Sequence, residues 1–330
     1  MSDKCKICPI ECGADRQNGV GYCGQSNKMK IAKYYLHTFE EPPISGKNGS
    51  GTVFFCGCSM QCVFCQNYEL SRSKTGKEIT PEELAKIFKE LEDMGAHNIN
   101  LVTPAHFVYE IVKAFEIYRP KVPVVYNTHS YEKVETLAII DPYVDIYLPD
   151  LKFFSPELAK RYTGKSNYFE VATKAISFMM NSKKTVFSED GMLKQGVVVR
   201  HMIMPLGVRD SKALLNWFAE NKQNGAFISL MGQYTPFGEC DKYPDELSGG
   251  MQQRVALARA MAYEADLLLL DEALKGLDAD TKKAVASALK EYLNGRTAIM
   301  ITHDKSELEL CDTVLEIDGS PVSDLRVVNR

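Results

Sequence analysis

Six short apolar runs recur between residues 51 and 234, and the stretches that separate them are amphipathic. A strand followed by a helix, repeated in this way, predicts an α/β fold with a parallel sheet. Because crossovers between parallel strands are right-handed, six such units are expected to curl into an open, partial (β/α)6 barrel. The predicted strands are 53–56, 98–102, 122–126, 144–148, 196–203 and 226–231.

Two of the intervening helices have marked ends. Thr80, Pro81 and Glu83 supply an N-cap, a proline in the first turn and a capping box. A second helix is delimited in the same manner by Ser155 and Gly164. In a barrel of this type, chemistry is expected at the carboxyl ends of the strands and in the loops that follow them.

Length and charge exclude several classes of protein. The 330 residues suffice for about two average domains, and a net charge of −4 gives no broad attraction for nucleic acid or anionic lipid. The amino terminus has no apolar signal segment, and no stretch approaches the roughly 18 apolar residues of a membrane span. We therefore expect a cytoplasmic protein that binds no nucleic acid and does not span a membrane.

Cysteine is concentrated at one end of the chain, since eight of the ten cysteines lie within the first 65 residues. A reducing cytoplasm disfavours structural disulfides, so metal binding or redox chemistry is the better explanation. The eight form two groups, one of Cys5, Cys8, Cys12 and Cys23 and one of Cys56, Cys58, Cys62 and Cys65.

The second group has a spacing that suits an iron–sulfur cluster. Cys58, Cys62 and Cys65 follow the first predicted strand with the spacing C-x3-C-x2-C. Three thiolates so placed can hold three irons of a 4Fe–4S cluster and leave the fourth open to a substrate or cofactor. A zinc site that Cys56 completes and a set of plain buried thiols are the alternatives.

The segment 54–67, FFCGCSMQCVFCQN, resembles the cluster loop of radical SAM proteins, and in particular of relatives of pyruvate formate-lyase activating enzyme. The resemblance covers about residues 5–243 and implies a barrel of radical SAM type. It also implies that the amino and carboxylate groups of S-adenosylmethionine chelate the open iron, and that one electron cleaves this cofactor into methionine and a 5′-deoxyadenosyl radical. Cys58, Cys62 and Cys65 would then be the catalytic iron ligands. An electron donor such as a flavodoxin or ferredoxin and a glycyl-radical protein substrate are the partners implied.

Further residues are carried over from the same resemblance as cofactor-binding candidates. They stand in the cluster loop or at the carboxyl ends of predicted strands, where polar side chains are often functional. The alternative for each polar residue is a barrel-interior or solvated loop position. The set is Gly57, Asn100, Thr103, Asn127, Asp150, Lys152 and Arg200.

The first cysteine group is similar to the amino-terminal cysteine segment of the same relatives. Four thiols at this spacing can close a zinc site or hold an additional iron–sulfur cluster. The spacing of Cys5, Cys8, Cys12 and Cys23 does not choose between the two metals. A non-ligating role for one or more of the four is the alternative, because thiols also serve as small apolar groups.

The last part of the chain resembles a different family. Its segment 247–260, LSGGMQQRVALARA, is similar to the signature motif of ABC-transporter ATPases, and 267–272 is similar to their Walker B strand. The resemblance implies that Ser248, Gly249 and Gly250 contact a terminal phosphate, for which amides at a helix amino terminus are suited. It further implies that Asp271 faces magnesium, and that Glu272 and His303 are catalytic.

The phosphate-binding loop that such an ATPase needs is missing. No segment has the form G-x4-G-K-[ST], and Gly164-Lys165-Ser166 has Ala159 where the first glycine belongs. The tail therefore matches only an incomplete P-loop-NTPase-like α/β fragment. We expect ATP and Mg²⁺ to be bound only in trans, with an ABC-ATPase partner, and no ATPase activity by the chain alone.

These observations predict three parts. They are a cysteine-containing segment at 1–50, a radical SAM partial barrel at 51–241 and an ABC-ATPase-like fragment at 242–330. A chimera joined near 240–247 is one hypothesis for their origin. The favoured function is a radical SAM enzyme that activates a glycyl-radical protein or modifies a small substrate. An interaction protein that donates the signature motif in trans and a non-functional hybrid are the alternatives.

Overall fold

A computed structural model describes residues 4–72, 76–232, 234–243, 267–271, 274, 279–294, 297–302, 307, 310–318 and 324–329. The chain divides into two compact units, one of Met1–Met231 with Phe237–Lys242 and one of Gly232–Pro236 with Tyr243–Arg330. The predicted helix that follows the signature motif lies outside the described residues. So do Ser248, Gly249, Gly250, Glu272 and His303 and the side chain of Asp271.

The first unit is an alternation of strands and helices. Its elements are β1 (Lys30–His37), α1 (Pro42–Ser45), β2 (Ser50–Phe55), α2 (Tyr68–Arg72), β3 (Lys77–Glu78), α3 (Pro81–Asp93), β4 (Ile99–Val102), α4 (Val108–Ile117), β5 (Val124–Thr128), α5 (Val134–Ile140), β6 (Ile146–Pro149), α6 (Pro156–Thr163), α7 (Tyr168–Ser182), β7 (Val186–Phe187), β8 (Leu193–Met202), α8 (Val208–Asn221) and β9 (Phe227–Met231).

The sheet of this unit contains the six predicted strands in parallel order. The order β2-β4-β5-β6-β8-β9 has only parallel pairings, and the sheet is not closed. The predicted α/β class with an open parallel sheet is thereby confirmed. Three antiparallel strands were not predicted: β1 pairs with β2, β3 with β1, and β7 with β8. Within the described residues, no helix combines the length and apolar character that crossing a membrane requires.

The marked helix ends are confirmed. The amide of Glu83 donates to Thr80 Oγ1 at 3.3 Å, and the amide of Thr80 donates to Glu83 Oε2 at 2.9 Å, which completes a capping box. Ser155 caps α6, and Gly164 ends it in the left-handed conformation, with φ of 74°. Glycine is the residue best suited to that position.

An apolar layer fills the lower part of the barrel lumen. Its buried members are Ile44, Val125, Ile146, Leu148, Leu193 and Val198. Ile44 belongs to α1 and comes from below, because β1 runs antiparallel to β2 and ends beside its first residue, His37 opposite Ser50. The chain from 38 to 49, here called the floor segment, therefore lies at the amino ends of the parallel strands. Asn98 Nδ2 donates to the carbonyl of Ile44 at 2.7 Å and fixes it there.

The second unit has fewer described elements. They are β10 (Leu267–Asp271), α9 (Ala279–Tyr292), β11 (Thr297–Ile301), β12 (Thr313–Asp318) and β13 (Asp324–Asn329). Apolar runs in the sequence predict strands at 267–270, 298–302 and 314–317, and an amphipathic stretch predicts a helix at about 280–293. The structure confirms these four elements. Strands β10 and β11 pair in parallel. From the sequence, the final strand at 314–317 is expected to join these two strands in one small sheet. This expectation is wrong for the described residues, where β12 instead forms an antiparallel pair with β13.

Candidate functional site

The three cysteines of the C-x3-C-x2-C motif lie on the loop that follows β2. Cys58 and Cys62 are buried, at 8% and 7% exposure, and Cys65 is half-buried. Gln61 turns the loop with φ of 55°, and the amide of Val63 donates to the carbonyl of Tyr162 at 3.0 Å, which ties the loop to α6. The three thiols are therefore held at the carboxyl edge of the sheet, and those of Cys58 and Cys62 are shielded from water.

Burial and nearby thiols make Cys58 and Cys62 hard to ionise. Desolvation, reinforced by the charge of Cys65, raises the pKa of Cys58 to about 11. Desolvation also raises the pKa of Cys62 to about 12, although the Lys152 ammonium opposes it. A thiol must lose its proton to bind metal, so in this setting the positive charge of a bound metal would have to stabilise the thiolates.

The donor set fits an iron–sulfur cluster better than zinc. Cys56, the candidate fourth zinc ligand, is buried with its Sγ against Gly76, and burial raises the pKa of its thiol while the charge of Lys30 opposes the rise. Three cysteines on one loop match the three thiolates that leave one cluster iron open. As they stand, no three His, Cys, Asp or Glu side chains in the described part of the chain form a group that could hold a metal ion. Cluster binding would thus have to draw the three sulfurs together.

A polar layer lies directly above the apolar layer of the lumen. Side chains alternate along a strand, so residues two positions beyond Val125, Leu148 and Val198 face the same side. Those residues are Asn127, Asp150 and Arg200. Arg200 Nε donates to Asp150 Oδ1 at 3.0 Å, and its Nη2 donates to Asn127 Oδ1 at 2.6 Å. Three of the predicted cofactor-binding residues are thereby brought together.

Lys152 joins the polar layer to the cysteine loop. Its ammonium donates to Asp150 Oδ2 at 2.7 Å and lies close enough to Cys62 for each to affect the pKa of the other. Burial acts to raise the pKa of Asp150, but Arg200 and Lys152 outweigh it and leave that pKa below its usual value. Burial acts to lower the pKa of Lys152, but Asp150 and Cys62 outweigh it and leave that pKa raised. The site thus keeps charged groups of both signs beside the thiols.

Two more residues complete the polar layer from the amino side. Glu40 comes from the floor segment, and sequence reasoning missed it because it lies near no predicted strand end. Its carboxylate accepts from Arg200 Nη1 at 3.3 Å and from Asn100 Nδ2 at 3.0 Å. Asn100 is fully buried, and its Oδ1 has no hydrogen-bond partner. A buried acceptor without a partner is a place where a bound group can donate.

Thr103 and Gly57 have backbone conformations that matter to the site. Thr103 follows β4 in the left-handed region, with φ of 58°, and its amide donates to the carbonyl of Asn127 at 2.9 Å. Gly57 has φ of 83°, and a Cβ on it would lie 2.5 Å from the carbonyl oxygen of Cys23 and from Gln25 Cγ. Gly57 therefore lets the amino-terminal segment pack directly on the cysteine loop.

The amino-terminal cysteines share one electrostatic neighbourhood. Burial raises the pKa of Cys8, and the charges of Cys23, Cys5 and Cys12 add to this effect. A Cβ on Gly21 would lie 3.4 Å from Cys12 Sγ and 3.6 Å from Cys23 Sγ, so these two sulfurs flank the same turn. The four predicted ligands are thus gathered in one region.

Arg16 ties the amino-terminal segment to the barrel. Its Nη1 donates to the carbonyl of His106 at 2.8 Å, and its guanidinium lies 5.7 Å from the centre of the Phe107 ring. Because His106 and Phe107 follow β4, the segment is anchored at the same edge of the sheet as the cysteine loop.

Two family models match this chain. Residues 52–203 match the Radical SAM superfamily, and residues 158–275 match the ABC transporter family. Both predicted resemblances are thus confirmed at the level of the family, and the matches overlap over 158–203. The first match contains the cysteine loop and five of the six parallel strands.

The relatives divide in the same way. An uncharacterized protein of Methanocaldococcus jannaschii is 29% identical over 278 residues, which cover 80% of this chain and 76% of that protein. The spermidine/putrescine import ATP-binding protein PotA of Mycoplasma genitalium is 43% identical over 113 residues, 31% of this chain and 20% of PotA. The chain thus spans about a fifth of the length of that transporter protein.

The solved structures that align with this chain do so with low scores and low sequence identity. The structure of anSMEcpe with bound AdoMet aligns with a TM-score of 0.40 and 14% identity, covering 68% of this chain and 56% of that one. Streptococcus suis SuiB bound to precursor peptide SuiA aligns with a TM-score of 0.40 and 12% identity, covering 74% and 47%. The chain spans about half the length of each of these proteins.

Proposed function

We propose that this protein is a radical SAM enzyme that cleaves S-adenosylmethionine reductively. One observation supports the proposal most strongly. At the carboxyl edge of the sheet, Lys152 lies between the cysteine loop and the charged polar layer, because it donates to Asp150 and lies near Cys62. The match of residues 52–203 to the Radical SAM superfamily supports the same reading.

The chain's own residues have distinct parts in this proposal. Cys58, Cys62 and Cys65 would hold three irons of a 4Fe–4S cluster. When bound, the cluster supplies the electron that breaks the bond between sulfur and C5′ of S-adenosylmethionine, which leaves methionine and a 5′-deoxyadenosyl radical. Lys152 and Arg200 carry the positive charges that a methionine carboxylate would need.

Acceptors for the cofactor's positively charged groups lie in the same layer. Asp150, kept ionised by its two cationic neighbours, and Asn127 offer oxygen atoms close to Arg200. Asn100 adds a further acceptor, its Oδ1 atom, which has no hydrogen-bond partner. Charge-assisted hydrogen bonds of this kind are roughly twice as strong as neutral ones, so this layer suits a zwitterionic ligand.

The narrower proposal concerns partners and compartment. The radical would be delivered to a glycyl-radical protein or to a small substrate, and a flavodoxin or ferredoxin would supply the electron in the cytoplasm. A glycyl radical has its own electron paramagnetic resonance signal, so adding reductant, S-adenosylmethionine and a candidate protein distinguishes a protein substrate from a small one.

The cluster assignment is tested by anaerobic reconstitution with iron and sulfide, followed by reduction and measurement of 5′-deoxyadenosine. Cys58→Ser should lose product formation and the site-differentiated cluster signal. Cys56→Ser is the matched control from the same loop, because its thiol lies against Gly76, and it should keep both. Equal loss in the two variants, or product from Cys58→Ser, would contradict the assignment.

We also propose a second metal site at the amino-terminal cysteines, because the charges of Cys5, Cys12 and Cys23 all act on Cys8, and the sulfurs of Cys12 and Cys23 flank the turn at Gly21. Elemental analysis of the purified protein should find zinc or iron beyond the four irons of the cluster. Cys8→Ser should remove that additional metal and leave the iron bound by Cys58, Cys62 and Cys65. Unchanged metal content in Cys8→Ser would refute the site.

The end of the ABC transporter match, residues 243–275, lies in the second unit and favours a second candidate function for it. In this proposal Ser248, Gly249 and Gly250 contact the terminal phosphate of ATP held by a partner ATPase, with Asp271 and Glu272 near its Mg²⁺ and His303 beside them. The test is binding to an intact ABC ATPase with and without ATP and Mg²⁺. Binding to the ABC ATPase that does not depend on nucleotide, or that is unchanged in Ser248→Arg, would refute this second function.

A further inference from the structure

The floor segment places a carboxylate inside the lumen, below the reacting edge of the sheet. The Glu40 side chain is 9% exposed, and that of Arg200 is 15% exposed. Glu40 lies between the exposed Phe39 and the short helix α1, whose Ile44 is fully buried in the apolar layer. Because Ile44 is packed in the apolar layer, it fixes the position of the nearby backbone from which the Glu40 side chain extends into the lumen.

Arg200 is held from two opposite sides. Asp150 and Asn127 accept its Nε and Nη2 protons at the carboxyl ends of β6 and β5. Glu40 accepts from Nη1 and comes from the amino ends of the strands. A guanidinium is planar with donors in fixed directions, so three acceptors on its three nitrogens leave it one orientation.

The burial of Glu40 has an energetic cost that its partners offset. Desolvation raises the pKa of this carboxyl, while Arg200 and Asn100 oppose the rise. A carboxylate removed from water is tolerated only where it is paired and hydrogen-bonded. Asn100 Nδ2 occupies Oε1 of Glu40 and leaves Oε2 to Arg200, so the two donors also fix how the carboxylate is turned.

We propose that Glu40 is a positioning residue, which holds the Arg200 guanidinium in the orientation that the cofactor's carboxylate meets. This inference rests on the proposed radical SAM function for the role of Arg200, but the contact between Glu40 and Arg200 is testable without it. Neither strand ends nor the cysteine motif assigns Glu40 any part in the site.

The first test measures how firmly the Arg200 guanidinium is held: if Glu40 helps to fix it, losing Glu40 should also loosen the hydrogen bond from Nε to Asp150. In protein labelled with ¹⁵N-arginine, the Nε–H signal of Arg200 is identified by its absence from Arg200→Lys. Its proton should exchange slowly with water in the parent and at least about tenfold faster in Glu40→Gln, which keeps the shape and removes the charge. An unchanged exchange rate in Glu40→Gln would overturn the proposal.

Ser45→Ala is the matched control for damage to the floor segment. Ser45 Oγ donates to the carbonyl of Glu40 at 3.0 Å, so its loss loosens the same turn without changing a charge. This variant should lose stability toward urea and keep the slow exchange of Arg200. Faster exchange in Ser45→Ala, in proportion to its lost stability, would reduce Glu40 to a structural role and so refute the proposal.

The second test connects the contact with the cofactor. The Kd for S-adenosylmethionine is measured on reconstituted protein for Glu40→Gln, Arg200→Gln and the double variant. Each single change should weaken binding about tenfold, and the double variant should bind no more weakly than Arg200→Gln alone, because Glu40 acts through Arg200. If the double variant instead weakened binding by the product of the two single effects, Glu40 would act independently of Arg200 and the proposal would be contradicted. If the parent does not bind S-adenosylmethionine, the proposed function fails, and the exchange experiment still decides the role of Glu40.

Discussion

Buried ionisable side chains in the first unit differ in how their charge is compensated. Asp150 lies between two cationic groups, which keep its pKa low despite burial. Glu132 is buried at 3% exposure and accepts hydrogen bonds from the hydroxyls of Tyr126 and Thr128. No positive group among the described residues offsets its burial in the same way, and burial raises the pKa of Glu132 to about 7. The two carboxyls therefore contribute to stability with opposite dependence on pH.

This difference predicts a fall in stability between about pH 4.5 and pH 7. The unfolded chain releases the Glu132 proton near its ordinary pKa, while the folded chain keeps it to about pH 7. At 1.36 kcal/mol for each pH unit, the free energy of unfolding should fall by up to about 3 kcal/mol over this range. Glu132→Gln should flatten that part of the profile in urea titrations at pH 5 and pH 8. A variant profile parallel to the parent's would contradict the assignment.

Among the connections, the contact between the amino-terminal segment and the cysteine loop depends on one glycine. A Cβ on Gly57 would meet the carbonyl oxygen of Cys23 at 2.5 Å. Gly164 has a similar φ, 74° against 83°, but a Cβ there would meet nothing within 4 Å. An alanine at position 164 would therefore add backbone strain alone, whereas an alanine at position 57 would add backbone strain and a steric clash.

The pair gives a prediction with its own control. Gly164→Ala should cost about 1–2 kcal/mol, the strain of a left-handed alanine. Gly57→Ala should cost about 1–3 kcal/mol more, because packed backbone must move as well. It should also lower the metal content, since the segment and the loop separate. Equal free energies of unfolding for the two variants would show that the contact is loose.

The elements were predictable where the signal is local. The parallel strands are largely apolar runs because both of their faces are covered, and the capping residues at Thr80 and Ser155 act within one turn. Strand β1, KIAKYYLH, is half exposed and carries no such run, so it was missed. Glu40 belongs to the site because it contacts Arg200, which is 160 residues away, and no local sequence pattern predicts that contact.

Each of the two units has its own apolar cluster, which bears on how the whole chain unfolds. One cluster fills the barrel lumen, and the other surrounds Leu274 and Leu289. A unit with its own core is the usual cooperative element, so a single unfolding transition is not expected here.

Ligands should separate the two transitions. S-adenosylmethionine added to the reconstituted protein should raise the temperature of the barrel's transition only, because a ligand stabilises the state that binds it. ATP with Mg²⁺ should move neither transition, since the chain has no G-x4-G-K-[ST] loop. Calorimetry of the full chain measures both. A shift of either transition by ATP would show that the second unit binds nucleotide unaided.

The floor segment also limits which changes of length the protein can accept. A surface connection can usually gain residues at little thermodynamic cost. The link from β1 to β2 is different, because its residues fill space inside the sheet: Ile44 closes the apolar layer and Glu40 reaches the guanidinium above it. One inserted residue would shift the register of both. Insertions should be accepted at the exposed turn around Gly191, between β7 and β8, and rejected between Phe39 and Ser45.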